Sequence, residues 1–189
     1  CYSDIYVNEP PPGVLEACAS IDGDTSQVLS FHSTSKRSNV PGLRSGFVAG
    51  DPDLLAQFKT VRDYGGVAIP RPVQAASAAL WNDDEHARIS RELYHPKFSA
   101  AARIFGNRFG FYQPQGGMFL WLNVNDCVEA TRRLWAEMAI RVLPGKFMSA
   151  EDKNGCFPGE GYIRIALVPD LETTTNALER MAEVLDDMV

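Results

Sequence analysis

No run in the sequence approaches the roughly 18 consecutive apolar residues of a membrane-spanning helix, so none of its segments reads as one. Positive charge is also short. Against 24 Asp and Glu stand only 18 Lys and Arg, a net charge of −6. A phosphate-backbone ligand ordinarily needs a clustered basic face, so neither nucleic acid nor membrane is an expected partner. The four cysteines, Cys1, Cys18, Cys127 and Cys156, contain no CxxC pair. The histidines His32, His86 and His95 lack the mutual spacing of metal ligands. A zinc site and a disulfide framework are therefore not expected, and reduced thiols in a cytoplasmic setting are. Internal repeats and low-complexity tracts are missing, and so is an initiator methionine before Cys1.

What is present is the composition of a globular protein, and 189 residues suffice for one large domain or two small ones. CYSDIYV reads as the end of a buried strand running into a loop, which implies that sequence upstream of Cys1 is missing. QVLSFHS (27–33) reads as a buried strand delivering a loop, SNVPG as a turn, and LRSGFVAG (43–50) as a second strand whose glycines allow close backbone approach. Asp51 and Pro52 form a helix start, with a helix to about Tyr64. VQAASAALWND predicts an alanine-rich helix able to pack on a sheet, and residues 85–109 a long helix with Pro96 as a start or kink. GMFLWLNV, IRVLPG and GYIRIALV then read as strands, while Asp126 and Asp170 cap two further helices. The pattern is α/β, with a boundary near residue 95 between part of a larger α/β domain (1–95) and a smaller one (96–189).

Lys36 lies among Ser33, Thr34, Ser35 and Ser38, with Arg44 eight positions on. A lysine that forms Schiff bases must be partly desolvated and held on a rigid scaffold, with an anion site nearby if its cofactor carries phosphate. Serine hydroxyls and an arginine fork suit a phosphate dianion, and the SNVPG turn can return Arg44 towards Lys36. Arg164 sits between Ile163 and Ile165, so strand alternation faces it away from both. Phe119, Trp121 and Leu122 read as core, Gly116 and Gly117 as a tight turn, and Asn39 as a turn-stabilising residue.

The segment S-x-S-K followed by PGLR and SGF resembles the cofactor-lysine segment of the class I/II pyridoxal-phosphate aminotransferases, which have the aspartate-aminotransferase fold (fold type I). The likeness continues in order: Tyr2 in CYSDIY, PQGGMFLWL (114–122), VLPG (142–145) and GYIRIALV. It implies the C-terminal part of the cofactor-binding large domain followed by the small domain. By the resemblance, Lys36 bonds the pyridoxal 5'-phosphate cofactor as a Schiff base and Ser33, Ser35 and Arg44 hold its phosphate. Tyr2 donates to the ring's 3'-oxygen and Arg164 clamps the substrate α-carboxylate. The family's aspartate that keeps the pyridine nitrogen protonated falls just before Cys1, outside these residues. The family's N-terminal phosphate-binding helix start, stacking aromatic and 3'-oxygen asparagine are likewise not among these residues. They resemble a C-terminal half, expected to bind cofactor poorly alone and to be inactive as such.

The implied reaction is ping-pong transfer of an amino group between an amino acid and a 2-oxo acid, with Lys36 as general base, in a homodimer. SKRSNVPGLRSGFVAGD and CYSDIYVNEPPPGVLEA most resemble the bacterial succinyldiaminopimelate aminotransferases of lysine biosynthesis, which use the glutamate/2-oxoglutarate pair. The rival readings are a lyase or decarboxylase of the same fold, and the effector domain of an aminotransferase-like transcriptional regulator.

Overall fold

The computed structural model describes residues 2–188, so Cys1 lies outside the described residues. The chain divides into two compact units, Cys1–Arg91 and Glu92–Val189. The division falls inside one helix.

The first unit opens with turns and bends, not with the strand expected from CYSDIYV. Ile5 alone of that stretch's described residues is buried, and its N–H bonds to the Tyr2 carbonyl at 2.9 Å, which closes a turn and leaves only an isolated bridge at Tyr6 in place of a strand. Helix α1 (Val14–Ile21) follows, its Glu16 carboxylate accepting the Gly13 N–H at 3.2 Å. Strand β1 (Leu29–Ser33), the single-turn helix α2 (Thr34–Arg37) and strand β2 (Gly46–Gly50) come next. β1 and β2 pair antiparallel from Leu29↔Gly50 to Ser33↔Gly46. A Cβ on Gly46 would lie 2.2 Å from the His32 carbonyl oxygen, so the pairing requires glycine there. β1 is half-buried and not buried as expected: Phe31 on its outer face is exposed, because among the described residues this sheet has two strands only.

Asp51 caps helix α3 (Pro52–Gly65) by accepting from the N–H groups of Asp53 and Leu54. Helix α4 (Arg71–Trp81) is less packed than its alanines suggest, since only Ser77 is buried. Trp81 at its end meets Phe47 edge-on at 4.9 Å, and Phe47 stacks on His32 at the same separation, which ties the hairpin to α4. Helix α5 (Glu85–Phe105) runs through Pro96 without interruption.

The second unit is a three-stranded antiparallel sheet in the order β3-β5-β4, with β3 (Phe119–Asn123), β4 (Leu143–Pro144) and β5 (Tyr162–Ala166). β4 is shorter than IRVLPG predicts: Pro144 has no N–H to extend the ladder, and Gly145 enters a 3-10 turn. Helices α6 (Cys127–Met138) and α7 (Leu171–Asp186) carry the Asp126 and Asp170 caps. Leu120, Leu122, Ile163, Ile165, Leu134 and Leu178 form the core, each side chain contributing about 1.5–3 kcal/mol by burial. Lys97 is buried too, donating to the carbonyls of Leu167 (2.9 Å) and Val168 (3.3 Å) just beyond β5; loss of hydration lowers its pKa. No helix among the described residues is long and apolar enough to cross a membrane.

Candidate active site

Lys36 stands on α2, at the point where β1 delivers its chain into the loop returning to β2. Ser33 ends the strand in extended conformation and caps the helix, its Oγ accepting from the Ser35 N–H at 3.1 Å and lying 2.9 Å from Ser35 Oγ. Thr34 is fully buried and sends both its N–H and its hydroxyl to the Ser45 carbonyl, which pins the helix to the incoming strand. The Lys36 side chain is half-buried and makes no hydrogen bond or ion pair among the described residues. An uncommitted primary amine is the form in which a lysine can condense with a carbonyl.

The register Ser33↔Gly46 and the Thr34–Ser45 bonds bring Arg44 back beside the start of α2. Arg44 has left-handed backbone (φ 49°, ψ 42°) and is exposed. Its Nη1 donates to the Pro41 carbonyl at 2.9 Å, which leaves its other N–H groups for an anion. It forms no bond to either serine. Two hydroxyls, a guanidinium and a free amine within one loop are a donor set suited to a phosphorylated aldehyde. Asn39, also left-handed (φ 55°), bonds through its Nδ2 to Ser90 Oγ at 3.1 Å, which ties the loop to α5 rather than closing the turn on itself. Tyr2 lies in the opening turn of the same unit, two residues before Asp4, and Asp4 pairs with Arg37 at 3.5 Å.

In the second unit Arg164 sits mid-strand on β5 with Ile163 and Ile165 buried on the opposite face, as alternation requires. Its guanidinium lies 4.3 Å from the centre of the Phe119 ring, and it has no hydrogen bond or ion pair among the described residues. Arg164 pairs across the sheet with Trp121, whose ring stacks on Tyr162 at 5.5 Å. Phe119 and Trp121 are therefore not core residues. They share the face of Arg164, while Leu120 and Leu122 take the core face; grouping Phe119, Trp121 and Leu122 crosses strand parity. Gly117 takes φ +88° in the turn before β3. A cavity of about 660 Å³ in this unit is lined by Met138, Arg141, Ile165, Leu167 and Ala177 among others and does not include Arg164, Phe119 or Trp121.

Sequence reasoning missed Arg37, buried and charged beside Lys36. Its side-chain partners are more than 30 positions away, so no local spacing reveals it.

Residues 1–181 match the family model for aminotransferase class I and II. The 4-dedimethylamino-4-oxo-anhydrotetracycline transaminase of Streptomyces rimosus is 34% identical over 96% of this chain and 48% of its own length. An aminotransferase crystal structure from Neisseria meningitidis superposes with TM-score 0.92 at 44% identity, covering 98% of this chain and 48% of that one. The structure of a probable N-succinyldiaminopimelate aminotransferase from Thermus thermophilus gives TM-score 0.81 at 27% identity over 96% of this chain and 47% of that one. The chain thus spans about half the length of the relatives it matches. Its α/β fold is that of the fold type I pyridoxal-phosphate aminotransferases, and the chain belongs to the class I and II aminotransferase family.

Proposed function

We propose that the protein to which these residues belong is a cytoplasmic, homodimeric aminotransferase that moves an amino group between an amino acid and a 2-oxo acid. The observation that carries this reading is the uncommitted Lys36 amine on a serine-capped turn, in a chain of a pyridoxal-phosphate-dependent family. Residues 1–95 then belong to the cofactor-binding domain and 96–189 to the small domain.

Pyridoxal phosphate, when bound, supplies an electron sink that acidifies the Cα–H of the amino acid. Lys36 would hold the cofactor covalently and would serve as the general base that takes and returns the Cα proton. Ser33, Ser35 and Arg44 hold the phosphate through hydroxyl and guanidinium donors. Tyr2 donates its phenol to the ring oxygen. Arg164 binds the substrate α-carboxylate; its planar fork, backed by Phe119 and with no acidic partner among the described residues, suits a bidentate carboxylate.

The donor in this reading is N-succinyl-LL-diaminopimelate, with glutamate and 2-oxoglutarate as the partner pair, in lysine biosynthesis. Its support is the likeness of the Lys36 segment to that subgroup, the likeness to the probable N-succinyldiaminopimelate aminotransferase of Thermus thermophilus, and LL-diaminopimelate aminotransferases 28% identical over 97% of this chain. The test is a donor panel offered to the full-length protein with 2-oxoglutarate, reading glutamate formed. N-Succinyl-LL-diaminopimelate is expected to exceed aspartate in kcat/KM by at least about tenfold, 1.4 kcal/mol of differential transition-state binding. Glutamate from another donor but not from this one would overturn the substrate and leave transamination standing.

A further inference from the structure

We propose that Arg37 is a positioning residue that locks the Tyr2 segment and the Lys36 turn into one fixed register, a role that rests on the functional reading above. α2 is four residues long, too short to hold itself by its own hydrogen bonds. The Lys36 side chain contributes nothing to its own placement, since it makes no hydrogen bond or ion pair among the described residues. The next side chain does. Arg37 is 6% exposed, and every side of its guanidinium is engaged. Nη1 donates to the carbonyls of Leu80 (3.4 Å) and Asp83 (3.3 Å), Nη2 bonds the Asp84 carboxylate, and Nε faces Asp4 Oδ1 at 3.5 Å. The Trp81 ring lies 5.2 Å from its Cζ.

Flanking contacts point the same way. His86 bridges Asp83 (Nδ1 to Oδ2, 2.9 Å) and Ser38 (Nε2 to Oγ, 2.9 Å), and Asn39 reaches Ser90. The Ser38–His86–Asp83 order has the look of a nucleophilic triad, but Ser38 is buried. Arg37 Nη1 lies 3.5 Å from His86 Nε2, so that ring nitrogen is shared between the guanidinium and Ser38 Oγ. The set is a clamp, closing the end of α2 onto the α4–α5 junction.

Asp4 makes the clamp two-sided. Its carboxylate meets Arg37, and its carbonyl accepts from Arg91 Nη1 at 3.1 Å, so the turn that carries Tyr2 is held by the same guanidinium that holds the Lys36 turn. Two groups proposed to address one cofactor therefore share one anchor. A lysine at position 37 offers a single point of charge and cannot span Asp4, Asp84 and two carbonyls at once.

The test uses full-length protein as Arg37→Lys and Asp4→Asn, with hydrogen exchange of the cofactor-free form read by segment. Arg37→Lys is expected to speed exchange of residues 2–6 and 34–39 together by about tenfold and to leave 119–123 unchanged. Asp4→Asn, which spares the buried partners, is expected to speed 2–6 by several-fold. In cofactor titrations, Arg37→Lys is expected to weaken binding about tenfold while the KM for the amino acid holds. Faster exchange in 34–39 alone, or no change in 2–6 for either variant, would overturn the coupling. If borohydride reduction of the parent protein labelled a lysine other than Lys36, the functional reading would fall, while the exchange result would still decide whether Arg37 couples the two segments.

Discussion

Arg164 shows what a single side chain gains from its place on a strand. Ile163 and Ile165 are driven into the core, the guanidinium is left on the opposite face over Phe119, and no acidic residue described here competes for it. A lysine there keeps the charge and loses the fork, so Arg164→Lys in the full-length protein is expected to raise the KM for the amino acid by about tenfold or more. Steady-state kinetics with donor varied check this, and an unchanged KM would remove Arg164 from carboxylate binding. The orientation of Arg164 was readable from its two isoleucine neighbours. So was the grouping of Ser33, Ser35, Lys36 and Arg44, because the last three lie in the twelve-residue loop 34–45 of one hairpin and Ser33 ends the strand that enters it. Arg37 was not readable, since burial of a charge depends on acceptors supplied by Asp4, Leu80, Asp83 and Asp84, remote in sequence.

At the scale of elements, local chemistry decides which boundaries are predictable. Asp51 and Pro52 announce α3, and Asp51 accepts from three backbone N–H groups: Gln27 at 2.6 Å, Asp53 at 2.7 Å and Leu54 at 3.1 Å. Those bonds, the one from Gln27 foremost, hold its carboxyl below the usual range. A depressed carboxylate pKa stabilises the fold above the unfolded value, and that stabilisation is lost as pH falls through the folded value. The melting temperature of the full-length protein is therefore expected to fall steeply below pH about 4, and less steeply in Asp51→Asn. Parallel melting curves for the two proteins across that range would contradict the assignment. Elements decided by tertiary partners were harder to read. Residues 2–7 include strand-forming side chains but fold as a turn closed by Ile5 with an isolated bridge at Tyr6, and Pro96, which removes a helical donor, is accommodated inside α5. Phe119 and Trp121 lie off the core face because the two-residue period sends alternate side chains to opposite faces, and apolar character alone does not say which face a side chain takes.

For the whole molecule, the proposed roles fall in both units: cofactor attachment in Cys1–Arg91 and carboxylate binding in Glu92–Val189. Family membership was legible because the motifs that hold cofactor and α-carboxylate are the parts common to all such substrates. The donor is set by side chains outside those motifs, and relatives of this chain bear names as different as an anhydrotetracycline transaminase and LL-diaminopimelate aminotransferase. The central claim is narrower: Lys36 is the residue that bonds the cofactor. Borohydride reduction of the full-length protein supplied with pyridoxal phosphate, followed by peptide mapping, tests it most directly. The account predicts loss of the visible chromophore and a pyridoxyl adduct on the peptide containing Lys36, absent from Lys36→Ala. An adduct on any other lysine, or none, would contradict it.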